Sequence, residues 1–213
     1  FSICLIEKNK AGVITDATNS FKSGNYTEAV DLFQKAINGS KSDWKKAELN
    51  LGLGASAFKI NNFDIAASAF GSALLSNNPS IQETAYYNLG NSLYRKGENE
   101  LKNSSSETKK DKRPSVQDVI TDWEGAIENY ESALGLNQNN ANAKHNLEVV
   151  RRKLEELKDQ ENQDQENLSE NKKINPETGY SKEQAQRQLE ALANEQFLRA
   201  LPRRSRAKFK KDW

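Results

Sequence analysis

Residues 47–75 read AELNLGLGASAFKINNFDIAASAFGSALL, and this stretch decides the fold. Its second half contains an alanine, an aromatic residue four positions later and a second alanine three positions after that: Ala66, Phe70 and Ala73. This spacing places all three side chains on one face of a helix, where small residues admit a neighbouring helix and the ring fills the space between backbones. The triplet occurs three times: Ala29–Phe33–Ala36, Ala66–Phe70–Ala73 and Ala126–Tyr130–Ala133. Three copies predict an array of similar helix pairs, an architecture that suits holding a partner.

The composition agrees with a thin array. Of the 213 residues, 35% are hydrophobic and 29% are charged, which is a poor core for a compact globule but enough for units that each bury one stripe. Lys plus Arg (31) and Asp plus Glu (30) nearly cancel, so net charge indicates no partner. With one cysteine, Cys4, and one histidine, His145, the chain lacks the residues for a cysteine metal cluster, and LGLGAS lacks the lysine of a phosphate loop. We therefore predict no enzyme activity, no metal and no cofactor.

The distances between matching residues predict three units, the third of them interrupted. The small residues Ala17, Gly54 and Gly90 mark the first helix of each unit. Twelve residues separate 17 from 29 and 54 from 66, whereas thirty-six separate 90 from 126, so an insertion of twenty-four residues lies at about 98–121. We predict that the two helices of each unit are separated by a residue suited to a left-handed conformation. These residues are Gly24, Asn61 and Gly97.

The insertion itself can be interpreted. SSSETKKDKR, residues 104–113, is polar and predicts a solvated loop. Ser115 then suits a helix cap, with Asp118 in the first turn. The apolar residues that follow extend the second helix of unit three by about two turns on the same stripe. This extra length serves either packing or recognition of a specific partner.

Two helical stretches follow the third unit. Five apolar residues at alternating spacings of four and three predict a capping helix, with dimerisation through the same stripe as the alternative: Ala143, Leu147, Val150, Leu154 and Leu157. Residues 158–180 predict a disordered or frayed polar linker. Residues 181–213 predict an amphipathic helix that Pro202 ends, and then a basic tail. The residues expected to contact a partner or a membrane surface are Leu189, Leu192, Phe197, Arg203, Arg204 and Arg206, and the alternative is a solvated tail.

Tyr86, Leu89 and Gly90, followed by the third triplet, resemble the signature of the tetratricopeptide repeat. Unit two matches at Leu53, Gly54 and Ala57, while unit one departs from the pattern at Val13 and Asp16. The resemblance covers about residues 10–157. It implies an all-α tetratricopeptide-repeat solenoid of three helix pairs plus a capping helix, followed by a separate C-terminal amphipathic helix.

A narrower resemblance covers most of the chain. AYYNLGNSLYRKGE, DWEGAIENYESAL, NANAKHNLEVVRRKLEEL, SKEQAQRQLEAL and the terminal KDW are similar to the repeat proteins of bacterial aerotolerance (Bat) operons. Those proteins accompany von Willebrand factor A domain membrane proteins in the cell envelope. The resemblance implies a periplasmic or inner-membrane-anchored protein, with a cytoplasmic location as the alternative. Residues 1–9, which begin FSICLI, are then the end of a signal or anchor, or else an N-terminal stub.

The repeat family also implies where a partner binds, because its first helices line a groove. Matching positions in the three units give the candidates Phe21, Lys22, Phe58, Lys59, Tyr87, Asn91, Tyr94 and Arg95. Aromatic residues supply rigid contact area, cations pair with carboxylates, and the amide of Asn91 suits a peptide backbone. The alternative is that the aromatics pack against the next unit and the cations are simply solvated.

The leading hypothesis is a non-enzymatic scaffold for envelope proteins. A soluble peptide-binding co-chaperone that uses the groove alone is the second hypothesis. Attachment to nucleic acid through the basic tail is the third and weakest, and it predicts binding that falls steeply with salt.

Overall fold

The computed structural model describes residues 2–104, 115–173, 184 and 186–192. Over 2–173 these ranges contain seven helices and no strand. The helices are α1 (Ser2–Lys22), α2 (Tyr26–Gly39), α3 (Asp43–Lys59), α4 (Phe63–Ala73), α5 (Pro79–Ser104), α6 (Val116–Leu136) and α7 (Ala141–Lys173). Each helix from α1 to α5 packs against the next one along the chain, and α3 also contacts α5. α6 and α7 share one apolar cluster. The predicted all-α solenoid of three helix pairs is confirmed.

The chain divides into two compact units, Phe1–Lys158 and Asp159–Trp213. The first unit contains the three helix pairs and the beginning of α7. There the predicted capping stripe is buried in the same apolar cluster as residues of α6, and the members of that stripe are Ala143, Leu147, Val150, Leu154 and Leu157. These residues therefore cap the array within one chain. Because the stripe is buried against α6, it is not exposed for the dimerisation alternative.

The aromatic residue of each triplet is seated on a glycine of a first helix. A Cβ atom added to Gly54 would lie 2.7 Å from the Phe70 ring, and one added to Gly90 would lie 2.9 Å from the Tyr130 ring. Phe33 is seated in the same way on Gly52, at 2.5 Å, but this glycine belongs to the following unit. Close approach of the helices, rather than conformational freedom, is what requires glycine at these helical positions.

Two of the three predicted breaks between paired helices are confirmed. Gly24 has a φ of +81° and Asn61 has a φ of +58°, both in the left-handed region. The prediction for Gly97 is wrong, because this residue lies inside α5. A Cβ atom at Gly97 would lie 2.5 Å from Nε1 of Trp123, so this glycine serves helix packing rather than a turn.

The third unit is longer than the others on both of its helices. α5 continues to Ser104, seven residues beyond Gly97, and α6 begins at Val116, ten residues before Ala126. Ser115 caps α6 through a reciprocal capping box, in which its hydroxyl accepts from the backbone N–H of Asp118 at 3.1 Å. The expected lengthening of the second helix is present, and a comparable lengthening of the first helix accompanies it. Residues 105–114 lie outside the described residues, and so does most of the predicted loop.

The ends of the array differ from the sequence-based expectation. Residues 2–9 belong to α1, so they continue into the first helix of the array rather than forming a separate stub. α7 continues to Lys173 through residues predicted to be a disordered or frayed linker. Residues 158–173, KDQENQDQENLSENKK, contain neither proline nor glycine, and their Lys, Gln and Glu residues favour a helix. The preceding part of α7, which packs on the array, has already nucleated that helix. Among the described residues, no helix combines the length and the apolar character needed to span a membrane.

Replacement of Gly97 by alanine tests its packing role. We expect Gly97→Ala to lower the free energy of unfolding by about 1–3 kcal/mol, since the new methyl group collides with Trp123. The matched control is Gly71→Ala in α4, where nothing lies within 4 Å of the added Cβ atom. That change should raise the free energy of unfolding by about 0.5–1 kcal/mol through helix propensity. Urea unfolding measures both, and stabilisation by Gly97→Ala would contradict the packing assignment.

Candidate functional site

Phe21 and Phe58 occupy equivalent positions near the ends of α1 and α3. The Phe21 ring meets Tyr26 edge to face, with centroids 5.4 Å apart and planes at 65°. Phe58 meets Phe63 in the same arrangement, at 5.5 Å and 66°. Both rings are half-buried, and each contacts the first residue of the second helix in its own unit. These contacts rigidify the turn and leave part of each ring at the surface.

The lysines that follow these rings are exposed. Lys22 and Lys59 are the last residues of α1 and α3, where a positive charge interacts favourably with the negative end of the helix dipole. Among the described residues, neither ammonium group forms an ion pair. Two cations therefore lie at equivalent places on one edge of the array, available to a carboxylate.

Arg95, the third cation of this series, is already engaged. Its guanidinium lies 5.9 Å from the centroid of the Phe63 ring, and one nitrogen lies 3.8 Å from a carboxylate oxygen of Glu98. The cation of unit three is thus partly neutralised, whereas those of units one and two are not. The three positions are equivalent in sequence but differ in electrostatic environment.

Asn91 is occupied by contacts within the protein. Its Oδ1 accepts hydrogen bonds from the Tyr130 hydroxyl and from Nδ2 of Asn146, both at 2.8 Å. Nδ2 of Asn146 also lies 3.5 Å from the hydroxyl of Tyr87. The amide expected to hold a peptide backbone therefore joins α5 to α6 and α7.

Tyr94 belongs to a second internal network. Its hydroxyl donates to Oε1 of Glu98 at 2.8 Å, and the Lys153 ammonium donates to the same oxygen at 2.8 Å. The Lys153 ammonium also lies 5.4 Å from the centroid of the Tyr94 ring. Burial opposes ionisation of Glu98, but the hydrogen bonds from Lys153 and Tyr94 hold its pKa below the usual value. α7 thus covers the predicted binding face of unit three.

The eight predicted residues therefore separate into two sets. Phe21, Lys22, Phe58 and Lys59 lie on units one and two with exposed surface. In unit three, Tyr87, Asn91, Tyr94 and Arg95 are engaged in contacts within the protein, Tyr94 and Arg95 with Glu98 of their own helix. The sequence alignment treated the units as equivalent and so missed this difference, because it depends on where the capping helix packs.

An apolar surface on α3 includes the predicted residue Phe58 and adds Trp44, which was not among the predicted site residues. Trp44, Leu51, Ala55 and Phe58 follow one another at spacings of seven, four and three residues, which places them along one face of the helix. We call these four residues the α3 stripe. Trp44 is 59% exposed and the other three are half-buried. The spacing of seven residues from Trp44 to Leu51 is visible in the sequence and predicts that they share a helical face. Spacing alone does not separate an exposed apolar stripe from a buried one.

A cleft lies beside the extension of α5. Its volume is about 370 Å³, and its walls are the α3–α4 turn, Ile60 to Asp64, and the α5 residues Lys96, Asn99 and Glu100. The Lys96 ammonium lies 3.2 Å from Asp122, 3.7 Å from Asp64 and 3.9 Å from Glu100. Burial raises the pKa of both Glu100 and Asp122. Repulsion from Asp122 raises the pKa of Glu100 further, and repulsion from Asp64 and Asp118 raises that of Asp122. The described residues include no group of acidic, histidine or cysteine side chains arranged for a metal ion.

The second compact unit carries part of the predicted C-terminal contact surface. Residues 186–192 are helical, and Leu189 and Leu192 are 67% and 56% exposed. Phe197, Arg203, Arg204 and Arg206 lie outside the described residues. The helix predicted to begin at 181 is thus described in part, and its role stays a prediction.

The Tyr130 hydroxyl makes stability depend on pH. Burial raises the pKa of Tyr130 well above its ordinary value of 10.0, so the folded state holds this proton more firmly than the unfolded chain does. The stabilisation from the neutral hydroxyl is complete below pH 10.0 and is lost as the pH rises beyond it. We expect Tyr130→Phe to cost about 1 kcal/mol at neutral pH and to make the alkaline loss of stability shallower. Urea unfolding as a function of pH measures this, and parallel curves for the two proteins would contradict it.

Comparison with known proteins identifies the repeat. Residues 51–101 match the family model of the tetratricopeptide repeat. No curated protein matches the chain.

The first TPR domain of human RPAP3 superposes with a TM-score of 0.51 and 19% identity, covering 70% of this chain and 95% of that one. The first TPR of Spaghetti (RPAP3), bound to the HSP90 peptide SRMEEVD, gives 0.51 and 20%, covering 69% and 94%. The Sgt2 TPR domain from Aspergillus fumigatus gives 0.50 and 17%, covering 70% and 80%. Residues 51–101 therefore match the tetratricopeptide repeat, and the described helices have the all-α repeat fold of these similar structures.

Proposed function

We propose that this protein is a non-enzymatic scaffold that binds protein partners through the exposed faces of α1 and α3. The observation that supports this proposal most strongly is that the surface combines half-buried apolar side chains with two exposed lysines, Lys22 and Lys59. Neither lysine forms an ion pair among the described residues. Similar arrays hold peptides: the second TPR domain of human RPAP3 is in complex with the HSP70 peptide SGPTIEEVD (TM-score 0.51, 16% identity, covering 68% of this chain and 98% of that one). A surface of this kind supplies contact area and charge pairing without any chemical step.

The finer proposal concerns the cellular setting. The motifs shared with the repeat proteins of Bat operons support a membrane-associated envelope complex with von Willebrand factor A domain proteins. The exposed apolar residues Leu189 and Leu192 support a second contact surface in the C-terminal helix, because they are three residues apart and so lie on one helical face that gains from being covered. The proposed location is the bacterial cell envelope, either periplasmic or anchored to the inner membrane.

The second candidate is a soluble peptide-binding co-chaperone. The HSP90 and HSP70 peptides bound to the similar arrays favour it. The internal bonding of Asn91 disfavours it, because a polar residue expected to hold a peptide backbone is engaged elsewhere. Cell fractionation separates the two candidates. The envelope scaffold should sediment with membranes, whereas a protein that stays wholly in the soluble fraction would support the co-chaperone.

Charge reversal on the binding face tests the partner contact. We expect Lys22→Glu with Lys59→Glu to reduce co-purification of von Willebrand factor A domain proteins by about tenfold, because two attractive contacts become repulsive. The matched control reverses two exposed lysines on other helices, Lys35 and Lys144, and so changes the net charge equally. The amount of partner recovered with each variant, quantified by mass spectrometry, gives the result. Equal recovery from both variants would contradict the proposed face.

Deletion of residues 181–213 tests the C-terminal surface separately. We expect the shortened protein to keep its thermal unfolding transition and to lose partner or membrane association. Sedimentation with membranes and recovery of the partner provide the two measurements. If membrane sedimentation and partner recovery both stay at the level of the full-length protein, the proposed C-terminal contact surface is contradicted. The proposed face on α1 and α3 is then still tested by the charge reversal.

A further inference from the structure

We propose that the edge of the array formed by the connections between units docks on the surface of an anionic lipid bilayer. These connections join α2 to α3, α4 to α5 and α6 to α7, and they comprise residues 40–42, 74–78 and 137–140. We call this part of the array the inter-unit edge. The proposal goes beyond the scaffold function, because it names lipid as a direct partner and uses the ends of the helices rather than their faces.

The topology brings the three connections to one edge. The helices within units one and two, and the helices that flank each connection, are joined by short segments, so these neighbours run antiparallel. α5 and α6 are antiparallel as well, because Gly90 meets Tyr130 and Gly97 meets Trp123. Since α3 also contacts α5, first helices lie side by side and consecutive connections are about 10 Å apart.

A hydrogen bond confirms that the third connection lies beside the start of α5. Nδ2 of Asn140 donates to Oε1 of Glu83 at 2.6 Å. Glu83 follows the first residue of α5, Pro79, by four positions, and α5 begins directly after the second connection. The second and third connections are therefore neighbours in space.

Each connection has a large exposed apolar side chain in it or next to it. Leu75 lies in the second connection and is 86% exposed, and Trp44, two residues after the first connection, is 59% exposed. Leu136 immediately precedes the third connection and is 44% exposed. Covering such side chains is favourable, and tryptophan is enriched where a bilayer meets water.

The charge near the first connection is positive. Residues 40–46 contain three lysines and one aspartate. Lys41 and Lys45 are exposed, whereas Lys46 pairs with Asp43 at 3.4 Å. The Lys45 ammonium lies 5.5 Å from the centroid of the Trp44 ring, so a cation and an aromatic side chain occupy the same place. Lysines at a membrane surface attract anionic headgroups, which favours an anionic bilayer over a neutral one.

The second and third connections favour a bilayer over a protein partner. Residues 74–82 and 134–143 contain no acidic residue, and exposed asparagines surround Leu75 and Leu136. A protein interface buries a contiguous core, in which such amides would need partners. At a bilayer surface, headgroups and water satisfy the amides while separate apolar side chains enter the interface.

The beginning of α1 lies at the same edge. The contact between Phe21 and Tyr26 aligns the end of α1 with the start of α2. α1 has 21 residues and α2 has 14, so α1 extends past the end of α2 by about 10 Å. This extension includes residues 3–6, whose sequence is ICLI. An apolar segment thus adjoins the three connections.

The opposite edge of the array does not suit an anionic surface. Ile60 and Ile65, at the α3–α4 turn, are 37% and 39% exposed. The Asp64 side chain beside them is 81% exposed, and two further carboxylates surround Lys96. Anionic headgroups would repel this acidic group, so the opposite edge provides a matched control surface.

Sedimentation with vesicles tests the proposal on the full-length protein. Vesicles of phosphatidylcholine are compared with vesicles of equal parts phosphatidylcholine and phosphatidylglycerol. We expect the protein to sediment with the anionic vesicles and much less with the neutral ones. Raising the salt concentration from about 0.1 M to about 1 M should weaken sedimentation with the anionic vesicles, because salt screens the lysines.

Two pairs of variants locate the apolar contact. Trp44→Ser with Leu75→Ser should lower the partition coefficient for anionic vesicles by about tenfold. The matched control, Ile60→Ser with Ile65→Ser, should leave the partition coefficient unchanged. Trp44 and Leu75 are largely exposed, so their double variant should keep the thermal unfolding transition of the native protein.

A second set of variants tests the charge. Lys41→Gln with Lys45→Gln should lower the partition coefficient for anionic vesicles by about tenfold and barely change that for neutral vesicles. The matched control is Lys102→Gln with Arg152→Gln, which changes the net charge equally at exposed positions outside the inter-unit edge. Equal losses in the two double variants would contradict a localised contact.

Tryptophan emission reports the contact directly. A Trp213→Phe background leaves Trp44 and Trp123, and Trp123 is only 2% exposed. We expect anionic vesicles to shift the emission to shorter wavelength and brominated lipid to quench it. Sedimentation without any change of emission would overturn the assignment of Trp44 to the lipid contact.

The remaining outcomes separate lipid docking from the scaffold function. Failure of the full-length protein to sediment with anionic vesicles would overturn the proposal, whereas recovery of partners would still decide the scaffold role. Sedimentation that persists in the edge variants but disappears on deletion of residues 181–213 would assign lipid binding to the C-terminal segment. Loss of a protein partner from Trp44→Ser with Leu75→Ser, with vesicle binding unchanged, would make the edge a protein interface. Both results would overturn lipid docking by the inter-unit edge.

Discussion

The array depends on one repeated contact, an aromatic ring of a second helix seated on a glycine of a first helix. Phe70 on Gly54 and Tyr130 on Gly90 join the helices within their units, and Phe33 on Gly52 joins the first unit to the second. The absence of a side chain on the glycine lets the backbone accept the ring at close range, and interior packing leaves little room for change. Because consecutive units share such contacts, the position of each first helix, and so of its exposed face, follows from them.

The third unit uses the same contact and then departs from the pattern. Trp123 on Gly97 adds another aromatic–glycine pair beyond the usual end of the first helix, and both helices lengthen together. The capping helix packs on this unit and bonds to it through Asn146 and Lys153. An ion pair between Arg151 and Glu131 and another between Lys158 and Glu124, at 2.7 Å, join α7 to α6. The third unit resembles the family signature most, yet the face of its first helix is the least available to a partner, because α7 contacts it.

Much of the fold could be predicted from residue spacing. The triplets, the count of three units and the capping stripe all follow from helical periodicity, and Gly24 and Asn61 follow from the rarity of residues that tolerate positive φ. Gly97 was misassigned because glycine serves both turns and close helix contacts, and spacing alone does not separate these uses. The extension of α7 was missed for a different reason: low hydrophobicity argues against a buried segment but does not prevent a nucleated helix from continuing.

The sequence by itself determined the architecture and the residue types on the exposed faces, because a period of 3.6 residues assigns each side chain to a face once the helix is known. Only the tertiary structure decided which of those faces remain open. Phe21, Lys22, Phe58 and Lys59 keep exposed surface, whereas Asn91 accepts a hydrogen bond from α7 and the Tyr94 ring contacts the Lys153 ammonium of α7. The physical reason is that α7 reaches Asn91 and Tyr94 from residues 146 and 153, more than fifty positions away. A pattern of residue types within one helix cannot predict a contact between residues that are so far apart in the sequence.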